Sequence, residues 1–120
     1  MVMLFVISNI SCNKILHRKL GIDYAKSELE SALNDTTKLV ILNEKELLIK
    51  EENTAIQVAE PILFEIYGKS KIEAQKPYEA YLINNYWVIR GTMSSFSFGG
   101  TFSIVIDARN SKVIYIIHYK

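Results

Sequence analysis

The side chains that could do chemistry here are Asp107, Glu79, the two histidines His17 and His118, and the serines Ser94, Ser95 and Ser97. Their spacing argues against most of the chemistry their types allow. The histidines lie about a hundred residues apart, and no cluster of cysteines or carboxylates has the spacing a metal ion needs. The serines occupy a Ser- and Phe-rich loop with neither a positioned histidine nor a strand–turn–helix elbow, so nothing would activate a hydroxyl. Gly99-Gly100 lacks the following helix and the lysine of a phosphate cradle. Asp107 precedes a turn, where a carboxylate accepts backbone N–H bonds, and His118 near a strand end reads as a structural histidine. No cofactor is implied. Polar residues spent on turns rather than on a pocket describe a binding module better than an enzyme.

Tyrosine is the second signal: seven in 120 residues, five of them from Tyr78 onward. Its ring offers large contact area with a polar tip, which is why interfaces favour it, although strand alternation must send some of these rings into the core. Trp87 reads as core, and Arg90, beside Gly91 at a strand end, is free to reach a partner or Glu79. Fourteen basic against thirteen acidic residues leave a formal charge of +1, so bulk charge names no partner. Charge is nonetheless uneven, with ten acids against four bases from Asp23 to Glu65, and three acids against seven bases from Lys69 onward. Such asymmetry steers charged partners. No basic cluster interleaves with aromatics, so no nucleic-acid role is expected.

These residues need a scaffold, and an apolar share of 49% is enough for one modest core. Tyr24–Leu33 predicts a short helix with Asp23 as N-cap and Ala25, Leu29, Ala32 and Leu33 on one stripe. Lys38–Leu42 and Glu46–Lys50 carry short apolar runs that fit a hairpin or a helix. A second helix opens with Thr54 and Gln57 as a capping box and continues through Ala55, Ala59, Ile62 and Ile66, with Leu63 and Tyr67 widening the stripe. Pro61 should kink it, and Gly68 should end it in a left-handed cap. Ser70–Lys76 reads as a polar connection. Tyr78–Ile83 and Tyr86–Arg90 alternate around Asn84-Asn85, a pair that tolerates the positive φ angles of a type I′ turn. Thr101–Asp107 and Lys112–Tyr119 form a second hairpin, and both are apolar on both faces. Strands of period 2 after a helix of period 3.6 give an α+β fold, with N-terminal helices on a curved antiparallel meander.

The start of the chain is a separate matter. MVMLFVISNIS is apolar but too short to cross a bilayer as a helix, and Ile10-Ser11-Cys12 resembles the end of a bacterial lipobox, whose cysteine becomes lipidated. Asn9 stands where leucine is usual, and no Lys or Arg precedes the run, as a start assigned too far downstream would produce. Residues 1–12 are therefore read as a truncated lipoprotein signal segment, with Cys12 as lipidation candidate, 13–22 as a tether and 23–120 as the domain. The alternative is a buried N-terminal strand with an inert cysteine and a cytoplasmic protein. With one cysteine there is no internal disulfide.

AIQVAEPILFEIYGK, PYEAYLINNYWVIRGT, GGTF-x-I-x-ID and KVI-x-I-x-H-x-K, in that order over Ala55–Lys120, resemble the NTF2-fold immunity proteins of bacterial polymorphic toxin systems. The resemblance implies an NTF2-like (cystatin-like) cone that binds and neutralises a cognate toxin by stoichiometric occlusion, without turnover. In this family the turn after Asp107 usually carries glycine where Ser111 stands, which assigns the left-handed position to Asn110. The toxin-contact candidates are Tyr86 and Arg90, the loop residues Ser94, Phe96 and Phe98, and the acids Glu51, Glu52 and Glu60. Two other readings follow from the same fold and N-terminus. One is an envelope lipoprotein with a structural or ligand-binding role. The other is a small isomerase or dehydratase working through Asp107 or Glu79 beside a buried tyrosine, marked by a raised carboxylate pKa or a depressed tyrosine pKa.

Overall fold

The computed structural model describes residues 17–35, 46–95 and 99–120. Cys12, the signal segment, the run Lys38–Leu42 and the loop residues Phe96, Ser97 and Phe98 lie outside the described residues. The chain divides into two units, Met1–Lys38 and Leu39–Lys120.

In the first unit the helix α1 (Ile22–Asn34) starts earlier than the sequence suggests, with Gly21 rather than Asp23 at its N-cap position. Asp23 instead occupies the first turn, where a negative charge meets the positive end of the helix dipole, and Lys26 sits 4.0 Å from it. No residue of α1 is buried, so the stripe of Ala25, Leu29, Ala32 and Leu33 is exposed.

The second unit opens at residues 46–50, which form neither helix nor strand, so neither element expected over Glu46–Lys50 is present. Ile49 is nevertheless buried, because its backbone is used twice: its N–H donates to Ala108 O at 2.9 Å, and its C=O accepts from the indole Nε1 of Trp87 at 2.9 Å. Helix α2 (Glu52–Tyr67) then begins two residues ahead of Thr54. Glu51 takes the N-cap position and no side chain caps the helix, so the Thr54–Gln57 capping box is not formed. Ala55, Ala59 and Leu63, four residues apart, are its buried stripe. Ile66 falls off that i, i+4 line and is 53% exposed, a correction to the expected stripe. The helix runs through Pro61, which is exposed, so the Gln57 carbonyl that loses its partner faces water.

Gly68 ends α2 with φ 91° and ψ 140°, and its N–H still donates to Phe64 O at 2.9 Å. The positive φ was expected; the ψ lies outside the left-handed helical well and turns the chain straight into a second helix. Residues 69–73 are therefore helix α3 (Lys69–Glu73), not a polar connection, and Ile72 on it is fully buried.

The strands β1 (Glu79–Ile83), β2 (Tyr86–Arg90), β3 (Phe102–Asp107) and β4 (Val113–His118) make an antiparallel meander in the order β1-β2-β3-β4. Asn84 and Asn85 both have positive φ, 48° and 68°, as a type I′ turn requires. A register irregularity at Val105/Ile106 places Val105 opposite Tyr115 and Ile106 opposite Val113, leaving Ile114 as the extra residue. Trp87, Ile89, Phe102, Ile104 and Ile106 form the inner face and pack with Ala55, Ala59, Leu63 and Ile72 of the helices. This is the expected α+β arrangement, with α2 and α3 as the helices in the core.

What locks α3 to the sheet is the amide of Gln75, just past the helix and only 8% exposed. Its Oε1 accepts from Phe102 N–H at 2.8 Å, while Nε2 donates to Lys71 O and lies 3.1 Å from Nε2 of His118. Because the amide nitrogen only donates, His118 Nε2 accepts, and Nδ1 then donates to Tyr119 O at 2.8 Å. His118 is thus the structural histidine the sequence indicated. Gly91 belongs to the same joint, since a Cβ there would strike Gln75 Oε1. Replacing Gln75 by Met keeps the bulk but strands the Phe102 N–H and the Lys71 carbonyl. Gln75→Met should cost about 1–3 kcal/mol in urea unfolding; unchanged stability would contradict this role for the amide.

Candidate functional site

The two faces of the sheet differ. Helices α2 and α3 cover the inner one. On the outer face the register aligns Tyr81, Val88, Val105 and Tyr115 in one row across all four strands. Glu79, Arg90, Ser103 and Ile117 make a second row, and Ile83, Tyr86 and Asp107 a third. Tyr81, Ile83, Tyr115 and Tyr119 each leave about half of their surface in water. An aromatic and aliphatic patch this broad is unusual on a surface that meets only solvent.

Polar bonds hold the rings in place. At the Ile83–Tyr86–Asp107 row, Asp107 is 5% exposed and accepts three bonds from Arg109: the backbone N–H, Nε and Nη2, each at 2.9 Å. Nη2 of Arg109 also donates to Tyr86 OH at 3.0 Å, and the guanidinium lies 5.3 Å from the centre of the Tyr86 ring. The bonds from Arg109 hold the Asp107 carboxyl below the usual carboxylate range, and Asp107 in turn raises the Arg109 pKa. The turn beneath is closed by Ser111 N–H to Asp107 O and Lys112 N–H to the Asn110 side chain. Ser111, with φ 65°, holds the left-handed position assigned from sequence to Asn110, because Asn110 spends its amide oxygen on Lys112. Across the sheet, Tyr81 OH donates to Glu79 at 3.2 Å, which raises the Tyr81 pKa. Partial burial, followed by a hydrogen bond with Tyr119, raises that of Tyr115.

Tyr86 and Arg90 therefore share this outer face. Glu52, in the first turn of α2, lies within electrostatic reach of Tyr81 at the β1 edge. Glu51 is exposed at the N-cap of the same helix. Glu60 sits apart, accepting from Tyr78 OH at 2.9 Å with Lys76 3.6 Å away. Burial and this bond push the Tyr78 hydroxyl up. Ser94 lies past β2 at the rim of a cavity. Sequence reasoning missed Arg109, although an acid and a base two residues apart in a turn opposite a tyrosine was a readable signal.

The acid–tyrosine pairs do not have the polarity of a proton relay. The Asp107 carboxyl is lowered rather than raised, and the Tyr81 hydroxyl beside Glu79 is raised rather than depressed. Among the described residues no three His, Cys, Asp or Glu side chains gather to hold a metal ion.

A family model described as NTF2 fold immunity protein matches residues 54–120, just over half of the chain. Two uncharacterized proteins of Escherichia coli K12 are also similar. YhhH is 32% identical over 74 residues, 61% of this chain and 58% of its own. YbbC is 34% identical over 73 residues, 60% of each. The chain thus spans about three-fifths of the length of these relatives. No solved structure matches.

Asp107 also predicts an acid response. Its folded pKa lies below the unfolded value of about 3.9, so its stabilisation is complete above that value and fades as pH falls through the folded pKa. Asp107→Asn should lower the melting temperature at pH 7, and the gap to the parent protein should narrow toward pH 3. A gap that stays constant over this range would contradict the assignment.

Proposed function

Because the chain belongs to the NTF2 fold immunity protein family, we propose that it binds a cognate toxin and blocks it by stoichiometric occlusion through the outer face of its sheet. The observation that carries this reading is the row of Tyr81, Val88, Val105 and Tyr115, half-buried at its valines and exposed at its two tyrosines, flanked by Tyr86 and Arg90. These side chains stand on strands whose opposite face is packed into the core, so little backbone freedom is lost when a partner arrives. Tyr86 is further held by Arg109. Tyrosine and arginine are the residue types that anchor protein interfaces, and a stable complex needs about 800 Å² from each partner.

A hydrophobic centre with Arg90 and Glu79 at its side suits a protein surface carrying its own apolar anchor. Occlusion requires no chemistry from the immunity protein, in keeping with acid–tyrosine pairs whose shifts oppose proton transfer. Lipidation of Cys12 belongs to the same proposal and would hold the module at the cell envelope, where an incoming toxin is first met.

Co-expression with the product of the adjacent gene, read as growth rescue and as a purified one-to-one complex, tests the reading. Tyr86→Ala combined with Arg90→Glu should weaken the complex by about tenfold or more while the variant keeps a cooperative melt. A wild-type protein that neither rescues growth nor binds would overturn the function. Full binding by the folded double variant would overturn the surface.

A further inference from the structure

The joint between Gln75 and His118 leaves no freedom in how its protons are arranged. Oε1 of Gln75 accepts from the Phe102 N–H at 2.8 Å, and Nε2 donates to Lys71 O at 3.1 Å. Two backbone groups of opposite polarity thus fix the amide. Turning it over would set donor against donor at Phe102 and acceptor against acceptor at Lys71. The amide nitrogen lies 3.1 Å from His118 Nε2 and can only donate to it. The other imidazole nitrogen gives the same assignment independently, because Nδ1 lies 2.8 Å from the Tyr119 carbonyl, which only accepts. Nδ1 therefore carries the ring proton and Nε2 offers a lone pair. An added proton can go only onto that lone pair, where it would meet the Gln75 amide hydrogens.

We propose that the Gln75–His118 pair is an acid-sensitive latch, in which protonation of His118 opens the joint between α3 and the sheet. Imidazole is the side chain that ordinarily gains its proton just below neutral pH. From α2 the Tyr67 ring lies 5.3 Å from the imidazole, and from α3 the Lys71 ammonium stands 5.9 Å over that same ring. Glu73 of α3 pairs with Lys69 at 3.8 Å. Phe102 faces His118 from β3, and Tyr119 and Lys120 follow it, the last with an ammonium and a carboxylate. Lysine, tyrosine and carboxyl groups ordinarily titrate outside pH 8 to 5. Within that range the imidazole is the group at this joint that changes. Its proton is accommodated in one of two ways. The amide turns its oxygen to the imidazolium and strands the Phe102 N–H, or the ring leaves and the amide is no longer held on three sides. Either way α3 loses a tie to the sheet, beside the cavity of about 540 Å³ that Gln75 and His118 line. Tyr119, whose carbonyl holds Nδ1–H and whose hydroxyl is hydrogen-bonded with Tyr115, carries the change toward the outer face.

The test is NMR of the full chain, labelled with ¹⁵N and ¹³C, from pH 8 to pH 5, with His17 and His118 followed as separate resonances. At pH 8 His118 should show the Nδ1–H tautomer. As pH falls, the Phe102 amide and the Gln75 side-chain amide should shift with the midpoint of the His118 ring. Exchange of the Phe102 N–H, corrected for its intrinsic pH dependence, should quicken about tenfold or more. His118→Gln supplies an amide oxygen that accepts without titrating, and should abolish the pH-linked shifts while Phe102 stays protected. Gln75→Glu reverses the polarity, since a carboxylate oxygen accepts from imidazolium, so His118 should hold its proton to higher pH than in the parent. An Nε2–H tautomer at pH 8, or a His118 that gains no proton by pH 5, would overturn the proposal. So would protonation that leaves Phe102 and Gln75 unmoved, shifts that persist in His118→Gln, or an unchanged midpoint in Gln75→Glu. Where a variant fails to fold, the titration of the parent decides alone. No toxin enters this titration, so its failure leaves the immunity reading standing, and a loss of growth rescue leaves the latch standing.

Discussion

One buried amide carries much of this architecture. Gln75 sits where α3 runs out, and a side chain there has to satisfy a strand N–H, a helix carbonyl and an imidazole nitrogen together. Its backbone carbonyl accepts as well, from Thr92 N–H at 2.8 Å. The contacts reach β3, β4 and the segment after β2, so the helical layer cannot slide along the sheet without breaking several of them at once. Buried polar networks are costly when half satisfied and specific when complete. This one is complete, and it sets the neighbouring requirements: glycine at position 91, an acceptor at His118 Nε2, and a fixed wall for the cavity at that end of the sheet.

With α2 and α3 fixed to one side, the other side of the meander has no helix of the same unit packed on it among the described residues. The inner residues Trp87, Ile89, Phe102, Ile104 and Ile106 supply the apolar burial, so the outer residues are not needed for the core. Tyr81, Tyr86, Tyr115 and Tyr119 nevertheless remain tyrosines, held by hydrogen bonds to Glu79, to Arg109 and to each other. Asp107 joins the two sides of this arrangement. Its backbone takes part in the β3–β4 turn and its carboxylate orients Arg109, which in turn orients Tyr86. A stable inner layer and a pre-positioned outer layer are the two things a binding surface asks of a small fold.

Much of this could be read before any coordinates. Asn84-Asn85 names its turn because few other pairs accept two positive φ angles, and alternation located all four strands within a residue or two. Trp87 and Asp107 took the roles their positions suggest. What escaped were features set by distant partners. Helix α3 hides in a run of polar residues with Ile72 as its lone apolar member, and it forms because Gly68 redirects the chain and Ile72 finds a core to enter. The α2 capping box failed because Glu51 and Glu52 extend the helix past Thr54. Alternation shows which strand residues share a face, but not which face the helices will cover. Tyr86 and Arg90 could therefore be paired from sequence, while the separation of Glu60 from them could not.

The claim that the outer sheet face is the toxin-binding surface is tested most directly by hydroxyl-radical footprinting of the purified complex, read by mass spectrometry residue by residue. The account predicts that Tyr81, Tyr86, Tyr115 and Tyr119 lose reactivity on complex formation, while Ile66 on the exposed side of α2 keeps its own. Protection of Ile66 with the four tyrosines still reactive would place the toxin on the helical side and contradict it.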